Sequence, residues 1–343
     1  MALPKRGEVF LLLFSLLFFL GFAEVALRLT GLGTPKPTGY APVDTKRKGM
    51  APTNSRGYRD LERAVAKPAG GKRLLSLGDS FAWGASVEFD DTYAQRVSRA
   101  LARRRPGESW EVIQLAQPGM NTVEQASQLV EEGMAYAPDV VVLGYVLNDS
   151  EDENAAEARR ARDWVLEKRE RKSRSRKLLN QSVLYRLVSG RIEATLENRQ
   201  RRSAYRSQFA PDYSGWIASQ KALRLMGSAC REKGIPFVVM IFPLFGQPLD
   251  ESYPFTEIHA LIAHAAGEAG ARVVDLLPLY RGLRWDVLVV DGADDEHPNE
   301  IGHRIAAGAL VRALDDVLAG PAALTPAASP GASASPASHP PAP

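Results

Sequence analysis

Residues 74 to 84 read Leu-Leu-Ser-Leu-Gly-Asp-Ser-Phe-Ala-Trp-Gly, an apolar run that ends at Gly78 and is followed at once by Asp79 and Ser80. A buried parallel strand delivers a side chain to the carboxyl edge of its sheet in this way, and α/β proteins put their sites there. Gly78 lets the backbone turn sharply, and the helix that follows can offer N–H groups to an anion. Ala82 stands where a Gly-x-Ser-x-Gly elbow has its last glycine, so that motif is absent. Alone, the stretch reads equally as a polar loop with an incidental serine. A serine hydroxyl is a poor nucleophile at neutral pH; it needs a base, and the base needs an orienting group. Both occur near the other end of the chain, where Asp294 precedes His297 by three residues and Pro298 stiffens the backbone beyond. In this reading His297 takes the Ser80 proton from one ring nitrogen while Asp294 accepts from the other. His303, His259 and His264 fall in helical patterns and have packing or surface roles available.

The chemistry also needs donors aimed at a developing oxyanion. Gly119, within Gln117 to Thr122, opens a helix after one apolar run, and its N–H can approach a ligand closely. Asn148, followed by Asp149, closes another apolar run, and its amide can donate. Each alone is a common loop. Together, Ser80, Gly119, Asn148 and Asp294/His297 fall at carboxyl ends of strands of one sheet.

The elements that must position them alternate regularly from Lys72 onward. Strands are expected at residues 73–77, 110–115, 140–145, 237–242 and 272–276, and a strand-like stretch at 287–290. Helices are expected at 92–105, 123–137, 216–233, 258–268 and 301–318. Val140 to Tyr145 is continuously apolar, as a strand covered on both faces should be. The pattern predicts a doubly wound, flavodoxin-like, three-layer α/β fold with a five-stranded parallel sheet. The alternation breaks between residues 150 and 213, where an acidic start, a basic helix over 159–177 and the apolar-faced Val183 to Val188 are too long for a plain connection. This insertion is expected to form a helical cap beside the site, its basic helix either solvated or in contact with anionic lipid or an acidic polymer.

Four ordered blocks resemble those of the SGNH, or GDSL-type, esterases and lipases: Gly78-Asp79-Ser80, Gly119, Asn148-Asp149, and Asp294 to His297. The resemblance covers roughly residues 52 to 318, and the N-terminal apolar segment, lead-in arginines and His297-Pro298-Asn299 look like anchored bacterial members. It implies Ser80 as nucleophile, His297 as base, Asp294 as orienter, and an oxyanion hole from the Ser80 N–H, the Gly119 N–H and the Asn148 side chain. No metal or other cofactor is implied. Two departures stand out. Phe81 replaces the usual Leu, and Val146 stands where the third block normally has Gly. Asp79 is expected to set the turn, since Asp294 lies beside the base.

The totals bound the partners. The net charge of +3 is too small a surplus to imply nucleic acid, and no metal-ligand spacing is present. The single cysteine, Cys230, excludes an intrachain disulfide and reads as a small hydrophobe. Lys5 and Arg6 precede an apolar run that, from Val9 to Leu27, would span about 28 Å as a helix, close to the hydrocarbon core. Residues 1–8 then form a short cytoplasmic N-terminus and 9–29 a single-pass anchor, or alternatively a signal peptide cleaved near Ala23. Residues 30–70 read as linker and lead-in, 71–319 as the hydrolase domain with its insertion at 150–213, and 320–343 as a disordered Pro/Ala/Ser tail. Trp83 could line an acyl pocket or the core. The expectation is a membrane-anchored serine ester hydrolase facing the non-cytoplasmic side, with the bilayer as partner and an ester-bearing lipid or acylated envelope glycan as substrate. The competing readings are an O-acyltransferase to a polysaccharide hydroxyl using the same triad, and a catalytically inert glycan- or lipid-binding module.

Overall fold

A computed structural model of the chain describes residues 6–31, 53–85, 87–152, 179–290 and 296–318. Asp294, the basic stretch at 159–177, most of the linker and the tail lie outside the described residues. In chain order the elements are α1 (Arg6–Thr30), β1 (Gly71–Gly78), α2 (Ser80–Trp83), α3 (Tyr93–Arg104), β2 (Ser109–Gln114), α4 (Thr122–Glu131), β3 (Val140–Tyr145), α5 (Val183–Gln208), α6 (Ser214–Glu232), β4 (Phe237–Ile241), α7 (Thr256–Glu268), β5 (Arg272–Asp275), α8 (Leu277–Tyr280) and α9 (Glu300–Leu318).

The five strands form one parallel sheet in the order β2-β1-β3-β4-β5, the doubly wound arrangement expected from the sequence. The chain moves one way from β1 to β2 and the other way thereafter. Right-handed crossovers therefore put α3 on one face and α4, α6 and α7 on the other. Packing agrees: α3 lies on α9, while α4 meets α6 and α6 meets α7. The direction of winding reverses between β1 and β3, and a crevice opens there at the strands' carboxyl ends. Ser80 follows the first of these strands and Asn148 the second.

Two expected elements differ in detail. The helix expected to run to Ala137 stops at Glu131, and a separate 3-10 turn covers Gly133–Tyr136. The strand-like stretch at 287–290 is no strand: Trp285–Val287 is a 3-10 turn, and only Val289 bridges to Pro298. Its apolar side chains Leu288, Val289 and Val290 are buried, which explains the pattern. The carbonyls of Val287 and Val289 are taken by the Asn299 amide, not by a neighbouring strand.

The lead-in before β1 packs on the domain. Asp60 accepts from the Gln114 N–H at the end of β2. Arg59 is 3% exposed and donates to the carbonyls of Trp83, Gly84 and Val87 just after the Ser80 turn. Its guanidinium lies 4.7 Å over the Trp83 ring, so that ring carries the lead-in. In α1, the stretch Gly7–Thr30 is long and apolar enough to cross a membrane, and none of it is buried in the fold. Glu24 in its last turns accepts from the Val183 and Leu184 N–H groups and the Ser182 hydroxyl, the first turn of α5.

Gly78 is a tight point of the frame. Its φ is +145°, and a Cβ there would sit 2.6 Å from the Ala82 side chain and 2.8 Å from the Gly144 carbonyl. Gly78→Ala is expected to cost about 1–3 kcal/mol in urea unfolding. Gly267→Ala in α7 meets nothing within 4 Å and should stabilise by up to about 1 kcal/mol.

Candidate active site

Ser80 is the first residue of α2, so its N–H has no acceptor within that helix. Asp79 caps the helix by accepting from the Phe81 N–H at 2.9 Å, which fixes the turn that aims the serine outward. Asp79 thus has the turn-setting part expected of it.

The imidazole of His297 comes from the other end of the chain and reaches the serine: Nε2 lies 2.8 Å from Ser80 Oγ, across 217 residues of sequence. Asp79 Oδ2 is 3.4 Å from the same hydroxyl, so the single hydroxyl proton has its shorter acceptor in the imidazole. The loop carrying His297 is held at several points. Its carbonyl accepts from the Val290 N–H at 3.2 Å, and Pro298 bridges to Val289. Asn299 is buried; its amide ties the Val287 and Val289 carbonyls, and its Oδ1 accepts from the Ile301 and Gly302 N–H groups at the start of α9. Phe81 packs its ring 5.2 Å from the imidazole and also meets Phe242 and Phe245. The swap of Leu for Phe therefore adds an aromatic wall to the His297 imidazole.

The other two expected oxyanion donors follow β2 and β3, the strands on either side of β1. Gly119 has φ +82° and its N–H donates to no acceptor among the described residues. Asn148 Nδ2 donates to Asp79 Oδ2 at 3.3 Å, which draws the amide to the serine's own turn. Val146, the departure in the third block, is buried and its N–H donates to Asp149 Oδ2 at 3.0 Å. A glycine is not needed there for that bond.

The remaining histidines are engaged elsewhere. His303 is fully buried, and its Nδ1 accepts from the Tyr93 N–H. Burial, and then the cations Arg59 and Arg96, push its pKa down to about 3, so it stays neutral. His259 is buried against Asp275 at 2.8 Å, and His264 is exposed beside Glu268. Cys230 is buried, and burial pushes its thiol up to about 12.

Several contributors were not singled out from sequence. Asn299 could have been read as a helix cap ahead of Glu300. Arg201 and Arg202 of α5 could not: they reach Glu296, beside His297, and Gln247. Gly246, at φ +82°, makes room for Glu296, since a Cβ there would stand 2.5 Å from its carboxylate. The insertion thus meets the loop of the base through its helix α5.

Two buried carboxylates face one another, and their surroundings differ. Asp79 accepts from the Phe81 N–H and the Asn148 amide, and burial still raises its pKa. Asp149 lies beside the Gln125 side chain, and its Oδ2 accepts from the Val146 N–H. Burial first, then the Asp79 charge, push the Asp149 carboxyl well above its usual range. Asp149 is therefore the carboxyl of the pair expected to carry a proton. Folding takes up that proton, so the stability it contributes is present at low pH and is lost as pH rises through the elevated folded value. Asp149→Asn cannot titrate and keeps an acceptor for the Val146 N–H. Its urea midpoint relative to wild type is expected to improve between about pH 5 and about pH 8. A constant difference across that range would move the proton off Asp149.

Residues 76–305 match the GDSL-like Lipase/Acylhydrolase family. No curated protein sequence matches the chain. Among solved structures, TesA is similar at 14% identity over 72% of this chain and 99% of that one, with a TM-score of 0.44. A two-domain esterase active on acetylated mannans is similar at 14% identity over 75% of this chain and 54% of that one, with a TM-score of 0.45. A catalytic mutant of the acetylxylan esterase Axe2 from Geobacillus stearothermophilus is similar at 17% identity over 72% and 95%, with a TM-score of 0.44. The family match spans well over half of the 343 residues, and the chain belongs to the GDSL-like lipase/acylhydrolase family as a hydrolase of ester bonds.

Proposed function

We propose that the chain is a membrane-anchored serine esterase that works through an acyl-enzyme. The observation that carries this reading is the 2.8 Å contact between Ser80 Oγ and His297 Nε2. His297 takes the hydroxyl proton as Oγ attacks the acyl carbonyl, and Asp294 orients the ring. The tetrahedral oxyanion is met by the Ser80 N–H, the Gly119 N–H and the Asn148 amide. Its collapse breaks the bond to the alcohol, which leaves with the proton from His297. Water, deprotonated by His297, then attacks the acyl-serine, and the acid departs. The unengaged Gly119 N–H and the nearness of Asn148 to the serine turn support these donor roles.

The anchor is α1, with Lys5 and Arg6 at the cytoplasmic side and the hydrolase domain on the other. The bond from Glu24 to the first turn of α5 supports a domain held close to the bilayer. The substrate class that suits this placement is an acyl ester on a lipid or an envelope glycan.

Ser80→Ala is expected to lower kcat on a short-chain chromogenic ester by on the order of 10⁴-fold or more, with the melting temperature unchanged. Wild-type rates in that variant would sink the assignment. Asn148→Ala is expected to lose on the order of 10²–10³ in kcat, with little change in KM. Membranes washed at alkaline pH should retain the full chain; release into the wash would remove the anchor from the proposal.

A further inference from the structure

A groove of about 590 Å³ runs between α3 and α9, on the face of the sheet that these two helices cover. Six arginines line it: Arg96, Arg99, Arg103 and Arg104 from α3, and Arg304 and Arg312 from α9. The rest of its lining is uncharged: Ala100, Ala307, Gly308 and Val311. Positions 96, 99 and 103 share one helical face, as do 304 and 312. Two ladders of guanidinium groups therefore face one space.

Counter-charge is incomplete. Arg96 pairs with Asp91, Arg99 with Asp90 and Arg104 with Asp315. Arg103, Arg304 and Arg312 are exposed and make no ion pair or hydrogen bond among the described residues. The basic last turn of α3 suits its helix dipole and alone would be an ordinary solvated face. That account stops at α9, which adds Arg304 and Arg312 to the groove, while its Asp315 meets Arg104 alone among the lining arginines in the described ion pairs. Like charges gathered across one groove weaken the packing of two helices unless an anion sits between them.

We propose that this groove binds a linear, multiply charged phosphate chain. Guanidinium forks match phosphate oxygens bidentately. Arg304 and Arg312 are eight residues apart, about 12 Å along the helix, a span that successive phosphate groups of one chain can follow. No aromatic side chain lines the groove, which leaves nucleobases without a stacking platform. None of the lining residues belongs to the candidate active site.

The test is calorimetric titration of the full-length chain in detergent, with sodium tripolyphosphate in about 50 mM salt. Binding is expected, and Arg304→Ala/Arg312→Ala is expected to weaken it about tenfold or more. Lys221→Ala/Arg224→Ala on α6 removes the same charge from another exposed surface and should change the affinity less than about twofold. Both double variants should hydrolyse a short-chain ester at the wild-type rate. Dihexanoyl phosphatidylglycerol, titrated below its micelle concentration, offers a single phosphodiester headgroup and should bind more weakly. Absence of tripolyphosphate binding, equal losses in the two double variants, or tighter binding of the lipid headgroup would each overturn the proposal.

Discussion

A hydroxyl and an imidazole 217 residues apart in sequence stand 2.8 Å from each other, and that distance is narrow enough to constrain much of the molecule. Neither partner holds itself in place. The serine is aimed by a glycine that alone fits between Ala82 and the Gly144 carbonyl, and by an aspartate that caps a one-turn helix. The histidine rides a loop with little regular structure of its own, pinned by the Asn299 side chain and walled by Phe81. The sheet supplies the common reference: β1 and β3 are neighbours, and winding reverses between them, so the serine turn and the Asn148 turn open on one crevice.

The sheet and the site were legible in the sequence for different reasons. Strands such as Val140 to Tyr145 announce themselves because burial on both faces leaves no polar position. The candidate site residues stand out because the proposed acyl chemistry needs unusual residue types at strand ends. Where apolar character served packing without pairing, the pattern misled. Leu288 to Val290 are as buried as any strand, yet the Leu288 and Val289 carbonyls are met by the backbone and side chain of Asn299, not by a neighbouring strand. Partners that meet only in three dimensions left no local trace. Nothing near Arg59 points to the carbonyls after Trp83, and nothing near Arg201 points to Glu296.

Helix α5 joins two parts of the molecule that sequence reading kept separate. Its first turn is capped by Glu24 of α1, and near its other end Arg201 and Arg202 meet the loops of Glu296 and Gln247. From Val183 to Arg201 the helix covers about 27 Å. The insertion is therefore a brace between the apolar N-terminal helix and the loop of the base, as well as a neighbour of the site.

Arg59 has a bearing on where this hydrolase can be cut. It lies before the first strand, outside the repeating strand-and-helix frame, and the four sequence blocks are all present without it. Yet it satisfies the carbonyls of Trp83, Gly84 and Val87 from a buried position. A fragment trimmed to begin at β1 would keep the serine, the glycine, the asparagine and the histidine. It would strip donors from main-chain oxygens beside Ser80, each worth about 1–3 kcal/mol when left dry. The smallest working piece of this chain thus starts well upstream of its first recognisable motif.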